Sequence, residues 1–579
     1  MVDQLNYKCL GHRGHLDVKT PNLDALKKDS IDFTHAYVAN AFCVPSRISC
    51  LTGLYPWMHR EYGFHGLIDS DCPSMAQVFG RSGYTTALTG KAHVNPMGEL
   101  LGFDHFIPTL PEDIIFSTDP GVNFKTYSEA NGFVFPTDQN HGGDAFAPLK
   151  EKRTSLQRGA GTTIGLSHLP AAHSIERYTA DKAMELIGQN KGKPFFIQVS
   201  FDRPHPPLSP SAPWADMYDP QSLTLDKPYT DEELSALPPH IQKAFKHSPF
   251  SIPSAGDRDF RTILAMYYGL ISHIDDEIGR VISCLKEKGL YDNTILLFFA
   301  DHGDMGGYNG MFNKYSNTIF HDNIIRTPLL LKLPDSANAG METDSLCETI
   351  DIFPTLLNLC GISGPPLPGQ NLMDLVNDPG VNKNHAAFSE SYAIKTIIKD
   401  DWKLIYYVNG YTHELYNLKD DPGERKNIYP NFQNEESVNT ARIIGLKQEI
   451  IKKMTPEVSE ERKNFIRKIF SPVLQNAMEY MHKWDRNISG GGLWTICRDD
   501  YRLVVVPFDN ICKLYRSDPQ KAIPGINKGY IPYDDLPRMD ALLNELINFI
   551  ATSIRPVSLM SGSQGDWDAM LQTKGQGLV

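Results

Sequence analysis

Short apolar runs in the first two thirds of the chain each end in a polar turn. The clearest runs are 84–88, 194–200 and 294–300, and the turns that follow them are 89–93, 201–205 and 301–304. Continuous apolar runs of this length are typical of strands that are buried on both faces of a sheet. Because ligand sites in parallel sheets lie beyond the carboxyl ends of the strands, the pattern predicts that these turns share one sheet edge.

A long amphipathic segment lies between the second and third runs. Apolar residues recur there at three- to four-residue spacing, at Ile263, Met266, Tyr267, Leu270, Ile274, Ile278, Val281, Ile282 and Leu285. This spacing, with Gly289 just past its end, predicts a helix. The alternation of helix and strand predicts an α/β fold over residues 1–375, with a large, mostly parallel sheet and helices on both faces.

The segment 107–173 interrupts this alternation, because it is rich in Gly, Pro, Asn and Ser and has little periodicity. A long loop inside a compact domain is usually an excursion over the mouth of a site or a mobile lid. A poorly ordered surface insertion is the alternative interpretation.

A short repeat follows the α/β region. Lys399–Leu404 resembles Arg498–Leu503, and Leu415-Tyr416 resembles Leu514-Tyr515 at the same offset. Each copy is predicted to form a β-hairpin, a turn and then a helix, the helices being Ala441–Lys453 and Met539–Ile554. Chance similarity of two hairpins is the alternative, and two copies are too few for a solenoid.

The length of 579 residues predicts more than one domain. We place an α/β domain at 1–375 and a smaller α+β region after it. That region comprises a hairpin–helix subdomain at 376–470 and a second, repeat-like hairpin–helix extension at 471–579.

Composition and charge narrow the possible partners. Hydrophobic residues make up 41% of the chain and charged residues 22%, which is ordinary globular usage, and the net charge is −13. A chain this acidic is a poor non-specific binder of nucleic acid or anionic membrane. An anionic substrate would therefore need a local cluster of cations or a metal. No apolar run reaches the roughly 18 residues that suggest a membrane span.

The N-terminus bears on location. Met1 and Val2 lead directly into Asp3, without the apolar core of a signal peptide. We expect a cytoplasmic location for the chain as it stands, and a periplasmic or secreted one if its N-terminus is truncated. The sequence does not indicate an oligomeric state.

The segment from Cys43 to Gly53 carries the most specific motif. It reads Cys-Val-Pro-Ser-Arg-Ile-Ser-Cys-Leu-Thr-Gly. It resembles the signature of the formylglycine-dependent (type I) sulfatases of the alkaline phosphatase superfamily. A second segment of that family, from Gly83 to His93, follows in the right order. The resemblance continues to about residue 430, through the stretches Pro204–Pro207, Asp301–Asp304 and Glu414–Glu424.

The resemblance implies a covalent modification of Cys43. In this family a formylglycine-generating or anaerobic sulfatase-maturing enzyme oxidises the motif cysteine to formylglycine (3-oxoalanine). One hydroxyl of its hydrate attacks sulfur, and collapse of the hydrate later releases sulfate. A small buried cysteine after a strand is the structural alternative for Cys43.

The resemblance also implies a divalent cation. Together with the modified Cys43, the matching ligands are Asp3, Gln4, Asp301 and His302. Carboxylate and amide oxygens suit Ca²⁺, and the histidine makes Mn²⁺ conceivable. The pairing of Gln with His is found in relatives that resemble choline sulfatases and phosphonate monoester hydrolases.

Five further side chains match catalytic positions of the family. Arg47 would hold the nucleophile and the oxygen on the metal side. Lys91 and Lys314 would neutralise the sulfate oxygens. His93 would take the proton of the hydrate, and His205 would protonate the leaving oxygen.

The chain departs from the family pattern in two places. Asn309 stands where relatives often carry a histidine, which would alter substrate contacts. Only two residues precede Asp3, where relatives have a full apolar strand. A short first strand is expected to loosen Asp3 and to weaken the metal site.

These observations predict a sulfuric ester hydrolase that acts on a sulfated carbohydrate or another small sulfate ester. A phosphonate or phosphate monoester hydrolase on the same scaffold is one alternative, although the Gly90–His93 arrangement favours sulfate. A non-catalytic homologue with a decayed site is the other, although every named polar residue is present.

Overall fold

The computed structural model describes most of the first 429 residues and four later strands. The described ranges are 1–59, 61–63, 73–94, 101–110, 113, 122–133, 164–167, 169–315, 318–377, 386–391, 394–407 and 413–429, with the backbone of 494–498, 501–506, 511–517 and 530–532. The chain divides into two compact units. The first unit comprises Met1–Tyr406 and Thr412–Ile443, and the second comprises Tyr407–Tyr411 and Ile444–Val579. The domain boundaries at 375 and 470 stay predictions.

Strands and helices alternate through the first unit, and four further strands are described in the second. The strands of the described residues are β1 Val2–Asp3, β2 Ile31–Phe33, β3 Ala36–Tyr37, β4 Thr85–Gly90, β5 His105–Pro108, β6 Phe195–Pro204, β7 Leu296–Phe299, β8 Arg326–Thr327, β9 Leu329–Lys332, β10 Glu342–Thr343, β11 Cys347–Glu348, β12 Ala387–Glu390, β13 Ile394–Lys399, β14 Trp402–Tyr407, β15 Glu414–Asn417, β16 Trp494–Arg498, β17 Tyr501–Val506, β18 Ile511–Ser517 and β19 Tyr530–Pro532.

The α-helices are α1 Pro21–Lys28, α2 Cys43–Thr52, α3 Pro56–His59, α4 Met75–Arg81, α5 Phe124–Ala130, α6 Ile175–Gln189, α7 Asp231–Ser235, α8 Pro239–His247, α9 Ile252–Ala255, α10 Asp257–Glu287, α11 Asp322–Ile325, α12 Ile352–Leu359 and α13 Leu372–Asn377. Short 3-10 turns lie at Gly11–Arg13, Ala171–His173, Trp214–Asp216, Pro220–Ser222, Tyr308–Gly310, Pro334–Ser336 and Thr349–Asp351. Within the described ranges, no helix is both long and apolar enough to cross a membrane.

Four strands of the first unit form a parallel sheet in the order β1–β6–β4–β5. Gly90 at the end of β4 pairs with Pro108 of β5 and Ser200 of β6, and Asp3 of β1 pairs with Pro204 of β6. The carboxyl ends of these strands therefore meet at one edge. The prediction that the residues after the first two apolar runs lie at one edge is confirmed, but the turn predicted at 201–205 is wrong, because residues 201–204 continue β6.

The third run reaches the same edge through a second sheet, in the order β10–β2–β9–β7. A parallel bridge joins Val2 to Ala300, the residue after β7, and so brings the turn that starts at Asp301 beside β1. This sheet is mixed, since β9 is antiparallel to β2 and β7. The predicted α/β class is confirmed.

Helices cover both faces of the second sheet. Phe298 of β7 packs in one core cluster with Ile263 of α10, whereas the next residue, Phe299, packs in another with Phe353 of α12. Successive strand residues point to opposite faces, so the two clusters lie on opposite sides. Helix α10 confirms the helix predicted from residues 263–285.

The predicted loop at 107–173 is wrong in one part. Residues 124–130 form α5, whose N-terminus is closed by a capping box between Asn123 and Thr126. The Phe124 ring packs on Tyr178 with centroids 5.4 Å apart. A seven-residue helix held by a cap and by ring contacts of Phe124 and Tyr127 leaves little periodicity to detect. Most of the remaining segment lies outside the described residues.

Equivalent residues of the two sequence repeats occupy equivalent positions in paired strands. In the first copy a two-residue turn at Asp400 and Asp401, with φ of 49° and 64°, joins β13 to β14, as type I′ hairpin turns require. Lys403 pairs with Tyr416 in this copy, and Arg502 pairs with Tyr515 in the other. The hairpins are therefore present in both copies. The helices predicted after them lie outside the described residues.

Gly90 is required at the end of β4, where its backbone lies close to that of β6. Its φ is +98°, and a Cβ there would lie 1.9 Å from the carbonyl oxygen of Ser200. Gly83 also has positive φ, +88°, but a Cβ there would meet nothing within 4 Å. We expect Gly90→Ala to destabilise the fold by about 1–3 kcal/mol more than Gly83→Ala, since only the former adds a backbone clash. Thermal unfolding of the two variants checks this, and equal losses would contradict it.

Candidate active site

Cys43 is the first residue of α2 and lies at the centre of a buried polar cluster. Its Sγ is 2.8 Å from Lys314 Nζ, 3.1 Å from His302 Nε2 and 3.9 Å from Asp3 Oδ1. Burial alone would raise the pKa of the thiol, but the surrounding cations, with Lys314 foremost, bring it down to about 7. A thiol with a lowered pKa is thus placed among cations.

Four side chains of the cluster can hold a metal ion. One ligand atom from each of Asp3, Cys43, Asp301 and His302 lies within 4.8 Å of the others. His302 Nδ1 is 2.9 Å from the carbonyl oxygen of Gly303, so Nδ1 carries the hydrogen and Nε2 keeps its lone pair for the cluster.

Gln4 adds a further oxygen atom that could bind a cation. Its Oε1 is buried and has no hydrogen-bond partner among the residues that the structure describes, while its Nε2 donates to Asp304 Oδ2 at 2.6 Å. A buried amide oxygen without a partner is costly unless something fills the place. Gln4 also has a φ of 64°, a strained value for a residue with a side chain. The residues therefore fit an oxygen-preferring divalent cation.

Arg47 orders the carboxylates rather than the thiol. Its Nε donates to Asp301 Oδ2 at 2.7 Å, and its Nη2 to Asp3 Oδ2 at 3.3 Å. Its Nη1 donates to Ser200 Oγ at 3.0 Å and to the carbonyl oxygen of Lys91 at 2.9 Å. In the described residues Arg47 thus contacts these two carboxylates, and its expected contact with the nucleophile stays a prediction.

Two lysines complete the positive side of the cluster. Lys91 Nζ pairs with Asp3 Oδ2, and Lys314 Nζ contacts both Cys43 and, at 3.3 Å, His302 Nε2. Burial opposes ionisation of Asp3, yet Lys91 holds the pKa of that carboxyl well below its usual range. Asp3 is therefore an anion at neutral pH despite being fully buried.

The two predicted proton carriers lie at the ends of β4 and β6. The backbone N–H of His93 donates to Asp113 Oδ2 at 3.0 Å. His205 Nδ1 is 2.6 Å from the carbonyl oxygen of Pro206, and Arg203 donates to the carbonyl oxygen of His205 at 3.1 Å. The charge of His205 also lowers the pKa of Asp3, so this imidazole is within electrostatic reach of the cluster.

The short first strand does not leave Asp3 loose. Asp3 pairs with Pro204 of β6, and Val2 pairs with both Phe201 and Ala300. The side chain of Asp3 is wholly buried and receives hydrogen bonds or ion pairs from Arg47 and Lys91. The expected loosening of this ligand is therefore wrong for the described fold.

Asn309 does not face the metal ligands. Its Nδ2 donates to Tyr229 Oη at 3.0 Å and to the carbonyl oxygen of Gly423 at 3.3 Å, and its Oδ1 accepts from Arg425 at 2.9 Å. Its side chain thus joins three chain segments beside the site.

Three acidic residues of the site were missed from the sequence. Asp304 accepts from Gln4, Asp113 accepts from the 92–93 backbone, and Asp202 accepts from Thr109 Oγ1 at 2.7 Å. Burial raises the pKa of Asp202 to about 6. Asp202 and Asp304 stand in the predicted turns and could have been named, whereas Asp113 has no neighbouring signal.

The sequence of this chain matches family models and proteins that are already known. Residues 1–362 match the family model described as Sulfatase, and residues 307–452 match the one described as N-sulphoglucosamine sulphohydrolase, C-terminal. The arylsulfatase of Clostridium perfringens (strain 13 / Type A) is 29% identical over 467 residues, which cover 77% of this chain and 93% of that protein. The choline-sulfatase of Rhizobium meliloti (strain 1021) is 28% identical over 454 residues, covering 74% and 81%.

A solved structure shares the fold. The phosphonate monoester hydrolase of Silicibacter pomeroyi superposes with a TM-score of 0.66 at 23% identity, covering 80% of this chain and 97% of that chain. The family model, by contrast, spans more than half of the 579 residues. The chain therefore belongs to the sulfatase family of the alkaline phosphatase superfamily and is a sulfuric ester hydrolase.

Proposed function

We propose that this sulfatase hydrolyses a sulfate monoester with a nucleophile made from Cys43 beside a bound divalent cation. One observation carries the proposal: Cys43 Sγ lies within 4 Å of Lys314, His302 and Asp3 in a wholly buried cluster. A nucleophile, a metal-ligand set and anion-neutralising groups thus occupy one place. Covalent catalysis at a sulfate ester needs all three.

The charge of the cluster supports an anionic substrate. Arg47, Lys91 and Lys314 contribute three cationic side chains around the carboxylates of Asp3 and Asp301. A bound divalent cation would add two further positive charges. The three cations exceed the two carboxylates by one charge, and the bound cation would raise this excess to three, within a chain of net charge −13. An anionic substrate requires such an excess of positive charge.

A divalent cation and a modified Cys43 would supply the chemistry of this site. Asp3, Gln4, Asp301 and His302 would hold Ca²⁺, with Mn²⁺ as the alternative, and the cation would offset sulfate charge and lower the pKa of a nucleophilic hydroxyl. Formylglycine made from Cys43 would supply that hydroxyl and an exit for the bound sulfate. The sulfatase family generally carries both groups.

The chain's own residues then have separate roles. Arg47 orients Asp3 and Asp301 through their Oδ2 atoms. Lys91 and Lys314 neutralise sulfate oxygens as charge develops on them. The Nδ1–H of His205 is directed to the carbonyl oxygen of Pro206, so its Nε2 is the atom that protonates the leaving oxygen. His93 takes the proton of the hydrate.

The alcohol of the substrate is proposed to be a saccharide, with another small sulfate ester as the broader class. The match to a C-terminal model named for N-sulphoglucosamine sulphohydrolase supports the sugar. The similarity to a choline-sulfatase supports the broader class. A formylglycine-generating or anaerobic sulfatase-maturing enzyme is the proposed partner in maturation.

A phosphonate or phosphate monoester hydrolase is the second candidate, favoured by the structural likeness to the Silicibacter pomeroyi enzyme. Both reactions need an oxygen nucleophile and neutralisation of an anionic tetrahedral centre. Comparing kcat/KM for an aryl sulfate and an aryl phosphonate separates them, and we expect the sulfate to be preferred. A third reading, a decayed site, predicts no hydrolysis of either.

The modification is tested by mass spectrometry of the tryptic peptide Asp29–Arg47. After co-expression with a formylglycine-generating enzyme, we expect the aldehyde form, which is lighter than the thiol form and traps a hydrazide. A known sulfatase expressed alongside is the control. A Cys43 that stays a thiol while the control is converted would remove the proposed nucleophile.

A further inference from the structure

The folded chain contains the donor set of a zinc site as long as Cys43 is a thiol. His302 Nε2 is 3.1 Å from Cys43 Sγ, 3.6 Å from Asp3 Oδ1 and 3.9 Å from Asp301 Oδ1, and Cys43 Sγ is 3.9 Å from Asp3 Oδ1. With metal–ligand bonds of about 2.0–2.3 Å, neighbouring ligands of a tetrahedral zinc site lie about 3.3–3.8 Å apart. The four donor atoms therefore need only small shifts to surround Zn²⁺.

The carboxylates are oriented toward such an ion. Arg47 takes Oδ2 of Asp301 and Oδ2 of Asp3, and Lys91 also pairs with Oδ2 of Asp3. Asp3 Oδ1 is left on the side of His302 and Cys43. Asp301 Oδ1 lies on the same side, where it also accepts the backbone N–H groups of Gln4 at 3.1 Å and His302 at 2.9 Å. These two hydrogen bonds hold the Asp301 carboxylate with Oδ1 toward the cluster.

The imidazole is oriented as well. The contact of His302 Nδ1 with the carbonyl oxygen of Gly303 fixes the ring and its tautomer, an arrangement that recurs around zinc-binding histidines. Lys314 Nζ lies 2.8 Å from Cys43 Sγ, where an ammonium group stabilises a thiolate. A zinc ion would take over that role.

The chemistry of the donors decides which cation is preferred. A thiolate and an imidazole are ligands of Zn²⁺ and related transition ions, whereas Ca²⁺ takes oxygen ligands. Replacing the sulfur of Cys43 by an oxygen removes the softest donor and leaves the oxygens of Asp3, Gln4 and Asp301.

We propose that the folded chain with unmodified Cys43 binds Zn²⁺ through Cys43, His302, Asp3 and Asp301, and that conversion of Cys43 changes the preference of the site to Ca²⁺. The second half rests on the conversion proposed above, whereas the first half does not. A chain that folds before it is modified is then a zinc protein without a hydrolase nucleophile.

The first half is tested on the chain produced without a maturing enzyme. The peptide mass establishes the thiol, chelator treatment removes bound metal, and Co²⁺ is added. We expect one Co²⁺ per chain with a sulfur-to-cobalt charge-transfer band in the near ultraviolet, and loss of that band on addition of Zn²⁺. Cys43→Ser is expected to lose the band and to bind Zn²⁺ at least about 100-fold more weakly.

A matched variant and a second measurement keep the test decisive. Cys347→Ser changes a buried thiol outside the cluster and should leave the band unchanged. X-ray absorption of the zinc-loaded wild-type chain needs no variant and should show one sulfur at about 2.3 Å. A missing band, a band that survives in Cys43→Ser, or zinc bound without sulfur would overturn the proposal.

The second half uses the converted chain, measured by the same titrations with Ca²⁺ and Zn²⁺. We expect the ratio of zinc to calcium affinity to fall by at least about 100-fold on conversion, and an unchanged ratio would contradict the preference change. Failure of the aldehyde to form refutes the proposed nucleophile but leaves the cobalt result standing. The two proposals therefore fail separately.

Discussion

Replacing His205 by alanine is expected to slow hydrolysis of an alkyl sulfate by about 10³-fold, because the leaving alkoxide then departs without a proton. A nitrophenyl sulfate, whose leaving group is already stable as an anion, is expected to slow by less than about tenfold. The measurement is kcat/KM across a series of sulfates with leaving groups of different pKa. The variant should show a steeper dependence on leaving-group pKa than the parent enzyme.

The control for this series is His247→Ala, since His247 is exposed at the end of α8. It should leave both the rates and their dependence on leaving-group pKa unchanged. A merely structural His205 would slow all substrates by one common factor. That outcome, with the parent slope retained, would remove His205 from the proton transfer.

Replacing Lys403 by methionine is expected to destabilise the first unit by about 3–5 kcal/mol. Lys403 is wholly buried on β14 and pairs with Asp322 Oδ1 at 2.9 Å and Glu424 Oε1 at 2.7 Å. Methionine keeps most of the volume but leaves the buried carboxyl group of Glu424 without this cation, and leaves Asp322 with a longer ion pair to Arg326, at 3.4 Å. Thermal and urea unfolding measure the loss.

Two further variants separate lost charge balance from lost packing. Lys426→Met changes an exposed lysine of the neighbouring loop and should alter stability by less than about 0.5 kcal/mol. Adding Glu424→Gln to Lys403→Met removes the negative charge of Glu424 and should restore part of the loss. Equal effects of the two lysine changes would contradict the buried network.

Much of the fold follows from short-range patterns. Residues 263–285 show their periodicity because α10 buries one long face against the sheet, and the runs at 84–88 and 194–200 end where β4 and β6 meet. Helix α5 lacks such a pattern, because it is short and is held by its Asn123 cap and by ring contacts of Phe124 and Tyr127 with Tyr178. Patterning detects elements that bury a continuous face and misses short elements held by a cap and a few ring contacts.

The candidate site divides in the same way. The Cys43 motif and the turns carry their residues at fixed spacing, so the cluster can be named before it is seen. The link from Asn309 to Arg425 spans 116 residues of the chain. This link and the pairing of Lys403 with Glu424 join segments through loops whose geometry no local motif specifies. Such pairings depend on the packed fold and leave no local trace in the chain.

The burial of Cys43 bears on when its proposed conversion takes place. Its side chain is 1% exposed, and all of α2 around it is buried. An enzyme that acts on the sulfur needs access to it, and the described fold leaves almost none. The proposed conversion therefore has to precede folding of the first unit. The yield of active enzyme in a cell should rise when translation or folding is slowed, and fall when the maturing enzyme is scarce relative to the rate of synthesis.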